Sequence, residues 1–161
     1  MRRDSRLSRL LHVLLHMDEH DGPLTSETIA RMLGSNAAVV RRTMAGLRDA
    51  GYVASEKGHG GGWTLARPLS EITLLDIYRA LGSPELFAFG LASEAPSCLV
   101  EQAVNAAMER AIEDAERMLL ARFGEIPLST IAANFDARNR VLQASPDRRP
   151  PFMHPGLSSR G

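Results

Sequence analysis

The side chains best suited to engaging a charged partner stand in two short stretches. The first holds Asn36, Ala38, Arg41 and Arg42, and the second sets Lys57 and His59 beside the run Gly58-His59-Gly60-Gly61-Gly62. Arginine can read guanine through two parallel hydrogen bonds and asparagine can read adenine, whereas Ala38 offers only a methyl contact. Lys57 and His59 suit phosphates, because glycines let the backbone come close to a polyanion. The glycine run does not match a nucleotide-binding loop. A dinucleotide fingerprint passes from strand through glycine turn into helix, and a P-loop needs Gly-Lys-Ser/Thr, but here the glycines lead into an extended segment and then Pro68. A plain tight hairpin accounts for one or two of the four glycines, and phosphate approach is expected to account for the others.

Three further groups carry chemistry. Cys98 is the chain's one cysteine, so no intrachain disulfide and no Cys-x-x-Cys zinc site can form. It follows Pro96 and Ser97 at the start of a long helical stretch, where a helix N-terminus lowers a thiol pKa. The bland reading is a small buried apolar residue. His12, His16 and His20 repeat every fourth residue, the spacing of metal ligands on a helix, but no further ligand is identifiable, so no metal site is assigned. No Ser/His/Asp set or carboxylate pair stands out, and the chain is not expected to be an enzyme.

These residues need elements to hold them. Leu7, Leu10, Leu11, Leu14 and Leu15 recur at helical spacing, predicting a helix over residues 5 to 19 that ends at Asp21-Gly22-Pro23. Thr25 is placed to cap a short helix from Ser26 to Leu33, stopped by Gly34. Ser35 or Asn36 caps a third helix to about Ala50, closed by Gly51. Two helices joined by a Gly-Ser turn make a helix-turn-helix. Ala37, Val40, Met44 and Leu47 form the buried stripe of the third helix, and Arg42 lies about 200° around from Val40, on the outward side. Residues 52 to 55 and 63 to 66 then read as a two-stranded hairpin around the glycine tip. Thr73 and Asp76 form a capping box for a helix from Leu74 to Leu81.

Residues 85 to 97 read as a loop or short helix holding Phe87 and Phe89, and residues 98 to 123 lack Gly and Pro, so one helix about 39 Å long is expected. In it Val100, Val104, Met108, Ala111, Ala115 and Met118 make a seam at alternating spacings of three and four, the pattern of a two-helix interface. Leu99, Ala103, Ile112 and Leu119 are expected to face the chain's own domain. Ser129 caps a short helix ending near Phe135, and residues 137 to 161 read as a disordered tail.

The chain has 161 residues, 44% hydrophobic and 5% aromatic, which suits one domain with an accessory element. Nineteen basic side chains balance nineteen acidic ones, so the net charge is zero and only its distribution informs. Residues 1 to 67 carry a net +3, residues 68 to 136 a net −7 and residues 137 to 161 a net +4. A basic front is what a polyanion-binding part needs. The single cysteine makes a reducing, cytoplasmic setting the default, and no run approaches the ~20 apolar residues of a membrane span. The chain is expected to be soluble and unprocessed.

Ile29-Ala30, the short turn, Val40 to Leu47, Ala50-Gly51-Tyr52-Val53, Gly60-Gly61-Gly62-Trp63-x-Leu65 and Ile72-Thr73-Leu74-Leu75-Asp76-Ile77 resemble the Rrf-two family of bacterial winged-helix transcriptional regulators. The resemblance spans residues 5 to about 135 and is most specific over 50 to 81. It implies a homodimer built on the long C-terminal helix, with the third helix in the major groove and the wing at the minor groove. It places Arg41 and Arg42 at DNA-contacting positions and Lys57 at the basic wing position. Arg41 and Arg42 are often Glu and Gln elsewhere in the family, so the operator sequence does not carry over. Cluster-binding members carry three cysteines before the long helix; this chain has only Cys98, so no iron-sulfur cofactor is expected.

The expected fold is therefore mainly α with a small β wing: a winged helix-turn-helix over residues 1 to 82, a dimerisation and sensor region with the long helix over 83 to 136, and the tail. The expected function is a homodimeric repressor on a palindromic double-stranded DNA operator, controlled by thiol redox state or a small effector. The alternative is a winged-helix module that binds protein and does not read DNA sequence. The expected DNA contacts are Thr25, Ser26, Asn36, Ala38, Arg41, Arg42, Lys57, His59, Gly60 and Gly61, with Cys98 as the sensor candidate. A small ligand beside Phe87, Phe89 and Tyr78 is the competing input.

Overall fold

The computed structural model describes residues 5–87 and 98–143. Its helices are α1 (Arg6–Glu19), α2 (Ser26–Leu33), α3 (Ala37–Asp49), α4 (Leu74–Ala80), α5 (Leu99–Gly124) and α6 (Leu128–Gln143). Between α3 and α4 lie strands β1 (Val53–Glu56) and β2 (Gly62–Leu65), then a 3-10 turn at Leu69–Glu71. The strands pair antiparallel with Val53 opposite Leu65 and Glu56 opposite Gly62. This is the mainly helical, winged architecture that the sequence predicts.

Local chemistry starts and stops the helices at the expected places. Thr25 Oγ1 accepts the Thr28 amide at the head of α2, and Gly34 ends that helix in the left-handed conformation at φ +58°. At α4 the box is closed in both directions: the Asp76 amide donates to Thr73 Oγ1, and the Thr73 amide donates to Asp76 Oδ2. Burial opposes ionisation of Asp76, but the Thr73 amide and hydroxyl, the Tyr52 hydroxyl and the Arg79 charge outweigh it and hold the carboxyl below its usual range. The cap is accordingly a carboxylate at neutral pH.

The core is assembled from all of these elements. Val13 and Leu14 of α1, Ile29 of α2, Met44 and Leu47 of α3, Val53 of β1 and Ile77 of α4 are fully buried. Val13 and Met17 are core residues that the leucine pattern alone does not mark, whereas Leu7, Leu11 and Leu15 only flank the core. A third extended segment joins the wing: the Leu24 and Trp63 backbones exchange hydrogen bonds of 3.0 and 2.9 Å, which fastens the approach to α2 onto β2.

Two expectations about the C-terminal part are corrected, the start of the tail and the cap of the last helix. Leu128 of α6 is fully buried in the winged-helix core, and its amide donates to the Ile72 carbonyl at 2.8 Å. Burying one such leucine is worth roughly 1.5–3 kcal/mol, enough to keep α6 docked. Residues 137–143 continue α6 as helix and are not tail, and α6 begins at Leu128 with no need of Ser129 as its cap. Residues 144–161, the rest of the expected tail, and Phe89 lie outside the described residues.

Candidate nucleic-acid interface

Because Val40, Met44 and Leu47 are buried, α3 turns Ala38 and Arg42 outward, and both are exposed. The Arg42 side chain makes no ion pair or hydrogen bond among the described residues. Arg41, also exposed, is ion-paired across to Glu27 in the first turn of α2. A surface pair of this kind is worth about 0–1 kcal/mol, so a phosphate or base can displace Glu27 at little cost. Asn36 is already engaged, because its Oδ1 accepts the Val39 amide at 2.9 Å as the cap of α3. Only its amide N–H groups are uncommitted, so two-bond reading of adenine, which needs Oδ1 as well, competes with the cap.

Val39 lies outside the expected set, yet it is 47% exposed on the outward side of α3. Its place follows from spacing: it sits about 100° from the buried Val40, away from the stripe. An exposed valine there can offer methyl groups to a groove edge.

Thr25 is exposed and keeps its hydroxyl within reach of solvent while it caps α2. Ser26 is the correction. It is buried, and its Oγ accepts the Trp63 indole N–H at 3.0 Å, so its side chain joins α2 to the wing and is withdrawn from any partner.

At the wing, Lys57 and His59 are exposed on the turn between β1 and β2. All four glycines have reasons inside the protein. Gly58 and Gly60 take φ +99° and +81°, which side-chain-bearing residues rarely adopt. A Cβ on Gly61 would collide with the Glu56 carbonyl oxygen, and one on Gly62 would come within 2.6 Å of the Leu24 carbonyl oxygen. The number of glycines is thus explained by the hairpin and its bridge to Leu24, and carries no argument for phosphate approach.

Along α5, Val100, Val104, Met108 and Met118 are 71%, 50%, 38% and 74% exposed, and Ala111 and Ala115 are exposed between them. The helix leans on the rest of the chain at its C-terminal end, where Phe123 meets the Tyr78 ring edge-on at 6.1 Å and Gly124 abuts Leu75. Ile112 and Leu119 are half-buried, but Leu99 and Ala103 are exposed, contrary to expectation.

Cys98 is exposed at the head of α5. The Glu101 amide and then the Val100 amide stabilise the thiolate and lower its pKa. Phe87, Ala111, Ile112 and Ala115 line an apolar recess of about 170 Å³. Tyr78 is not part of it: it is buried, with its hydroxyl donating to the Pro84 carbonyl at 2.8 Å. His12 and His16 share a 2.9 Å Nε2 to Nε2 contact, while His20 Nδ1 lies 3.1 Å from the Gly22 carbonyl oxygen. Among the described residues no three His, Cys, Asp or Glu side chains could jointly hold a metal.

A two-helix unit with its second helix exposed, a two-stranded wing with a basic tip, and a long helix beyond them define a winged-helix DNA-binding regulator. The family model Rrf2, described as iron-dependent transcriptional regulator, matches residues 3–134, and the chain belongs to that family of transcriptional regulators. The chain is 33% identical over 119 residues to Bacillus subtilis YwnA, an HTH-type transcriptional regulator by name, covering 72% of this chain and 86% of that one. Among solved structures, a transcriptional regulator from Lactobacillus plantarum superposes with a TM-score of 0.70 at 22% identity, over 89% of this chain and 97% of that one. IscR of T. potens superposes with a TM-score of 0.57 at 22% identity, over 92% and 94%. Toward the iron of the family description the sequence offers one thiol, Cys98, and among the described residues no three donor side chains come together. No helix of the described residues is long and apolar enough to cross a membrane.

Proposed function

We propose that the protein works as a homodimer on a palindromic operator, one α3 and one wing per half-site, with α5 against α5 as the dimer seam. The observation that carries this reading is the continuous row of exposed apolar side chains from Val100 to Met118, on a helix whose other end is fixed to the DNA-binding core. Half-sites should lie about one helical turn, roughly 10 bp, apart. Repression is the simplest output, because occupying an operator blocks a promoter without any further surface.

Base reading falls chiefly to Arg42, supported by Ala38, Val39 and Arg41, while the exposed Thr25, Lys57 and His59 meet phosphates. Arg42→Ala should cost about 1–3 kcal/mol of affinity and relax one operator position, whereas Lys57→Ala should weaken all sequences alike. Fluorescence anisotropy on an operator and its single-base variants measures both. Equal loss on every sequence for Arg42→Ala would remove it from base reading.

Signal enters, in this reading, at the junction between the core and α5. The exposed, acidified Cys98 thiol suits oxidation or alkylation, which would shift α5 and with it the distance between the two α3 helices. Cys98→Ser should abolish peroxide-driven release of DNA. Undiminished release in that variant would transfer the input to the recess beside Phe87.

A further inference from the structure

A second recess lies away from both the wing and α5. It is left between α1, α2 and α3, has a volume of about 110 Å³, and also touches Leu81, the residue that ends α4. Its lining is apolar: Leu10, Ile29, Val40 and Met44 are buried, and Leu33 and Leu81 are half-buried. Its polar lining is of one kind. Arg6, Arg9, Ser35 and Thr43 border it, and no acidic side chain among the described residues does. The Arg9 side chain is exposed and makes no ion pair or hydrogen bond among the described residues, and the same holds for the exposed Ser35 hydroxyl. The Thr43 hydroxyl is turned to the Val39 carbonyl, to which it donates at 3.1 Å.

An apolar recess bordered by two positive charges selects an occupant by both of its ends. Water gains little inside, because the apolar lining offers it few partners, whereas a hydrocarbon chain gains by leaving water. A cavity of ~150 Å³ holds a benzene ring, so this smaller one suits an aliphatic chain of roughly four carbons. The head that stays outside meets donors, the Arg9 guanidinium and the Ser35 hydroxyl. A carboxylate answers both, since its two oxygens match the guanidinium fork and its charge strengthens each hydrogen bond. An ammonium head would meet Arg6 and Arg9 as like charges, and an uncharged amide forgoes the charge assistance. The recess also borders the face turned to DNA. Ser35 stands in the turn between α2 and α3, and Val39, which is 47% exposed on the outward side of α3, is part of the lining. A seated carboxylate would cover Val39 and set a negative charge beside the phosphates that α3 approaches.

We propose that the recess between α1, α2 and α3 binds a small aliphatic monocarboxylate, its chain inside and its head on Arg9 and Ser35, and that occupation weakens operator binding. The second half rests on the operator reading above; the first does not. Pentanoate serves as the probe, titrated by calorimetry into the full-length protein without DNA. It should bind with a Kd of about 0.1–1 mM. Acetate, which lacks the chain, and pentanamide and pentylamine, which lack the anionic head, should bind at least about 10-fold more weakly. Arg9→Gln should lose about as much, whereas Arg9→Lys should keep most of the affinity, with both variants melting at the temperature of the parent. Methyl NMR should show pentanoate shifting the signals of Leu33, Val39 and Leu81 and leaving those of Ala111 and Ala115, beside Phe87, unmoved. In anisotropy at constant ionic strength, saturating pentanoate should weaken operator binding several-fold in the parent and have no such effect on Arg9→Gln. No binding up to about 10 mM, equal binding of pentanamide, or shifts confined to Ala111 and Ala115 overturns the site. Pentanoate seated in the recess with operator affinity unchanged overturns its effect on DNA. Failure of the unliganded protein to bind any duplex at low salt overturns the operator reading and that effect with it, while the calorimetry still decides the carboxylate site.

Discussion

A variant carrying Val104→Asp and Met108→Asp is expected to be a folded monomer whose operator affinity is lower by at least about 100-fold. Both side chains already face outward in the single chain, at 50% and 38% exposure, so carboxylates there cost the protomer's own core little. In a paired seam the same carboxylates would face each other in a dry interface, where like charges cost several kcal/mol. Loss of the second half-site removes the avidity of a bivalent contact, a factor of about 10² to 10⁴. Light scattering should show the mass of one chain, thermal melting should show a cooperative transition, and anisotropy should show the weakened binding. A stable dimer with these two substitutions would place the interface elsewhere and withdraw α5 as the seam.

The largest effect on stability is expected at Trp63. Trp63→Ala removes a buried ring that spans β2, α1 and the head of α2, a change that costs about 3–5 kcal/mol in cores. It also strands the buried Ser26 hydroxyl, worth a further ~1–3 kcal/mol. Set against a total domain stability of about 5–15 kcal/mol, this leaves a marginal fold. The melting temperature should fall by roughly 10 °C or more. Trp63→Phe keeps most of the ring and isolates the orphaned hydroxyl, so it should show the smaller of the two losses. Ser26→Ala combined with Trp63→Phe should recover part of what either alone loses, since both partners of the hydrogen bond are then gone. A Trp63→Ala protein within about 1 kcal/mol of the parent in chemical denaturation would refute the account of the wing's attachment.

Elements are legible in the sequence wherever the deciding interaction is local. Thr25, Gly34, Asn36 and the Thr73 and Asp76 pair bond to backbone within a turn of themselves, so residue type and spacing suffice to bound α2, α3 and α4. The same holds for the outward side of α3, which follows once Val40, Met44 and Leu47 are recognised as one stripe, and Val39 can be found by the same step. Tertiary structure alone decides what depends on distant partners. Ser26 looks like an available hydroxyl until Trp63, thirty-seven residues away in sequence, is brought over it. The wing glycines look surplus to a hairpin until the Glu56 and Leu24 carbonyls are set against Gly61 and Gly62. Residues 137–143 read as polar tail because their helix is held by Leu128, an anchor nine residues upstream whose burial against Ile72 no local pattern reveals. Leu99 and Ala103 remain uncovered for the converse reason: apolar residues on a helix face predict burial only if another surface reaches them, and among the described residues of one chain none does.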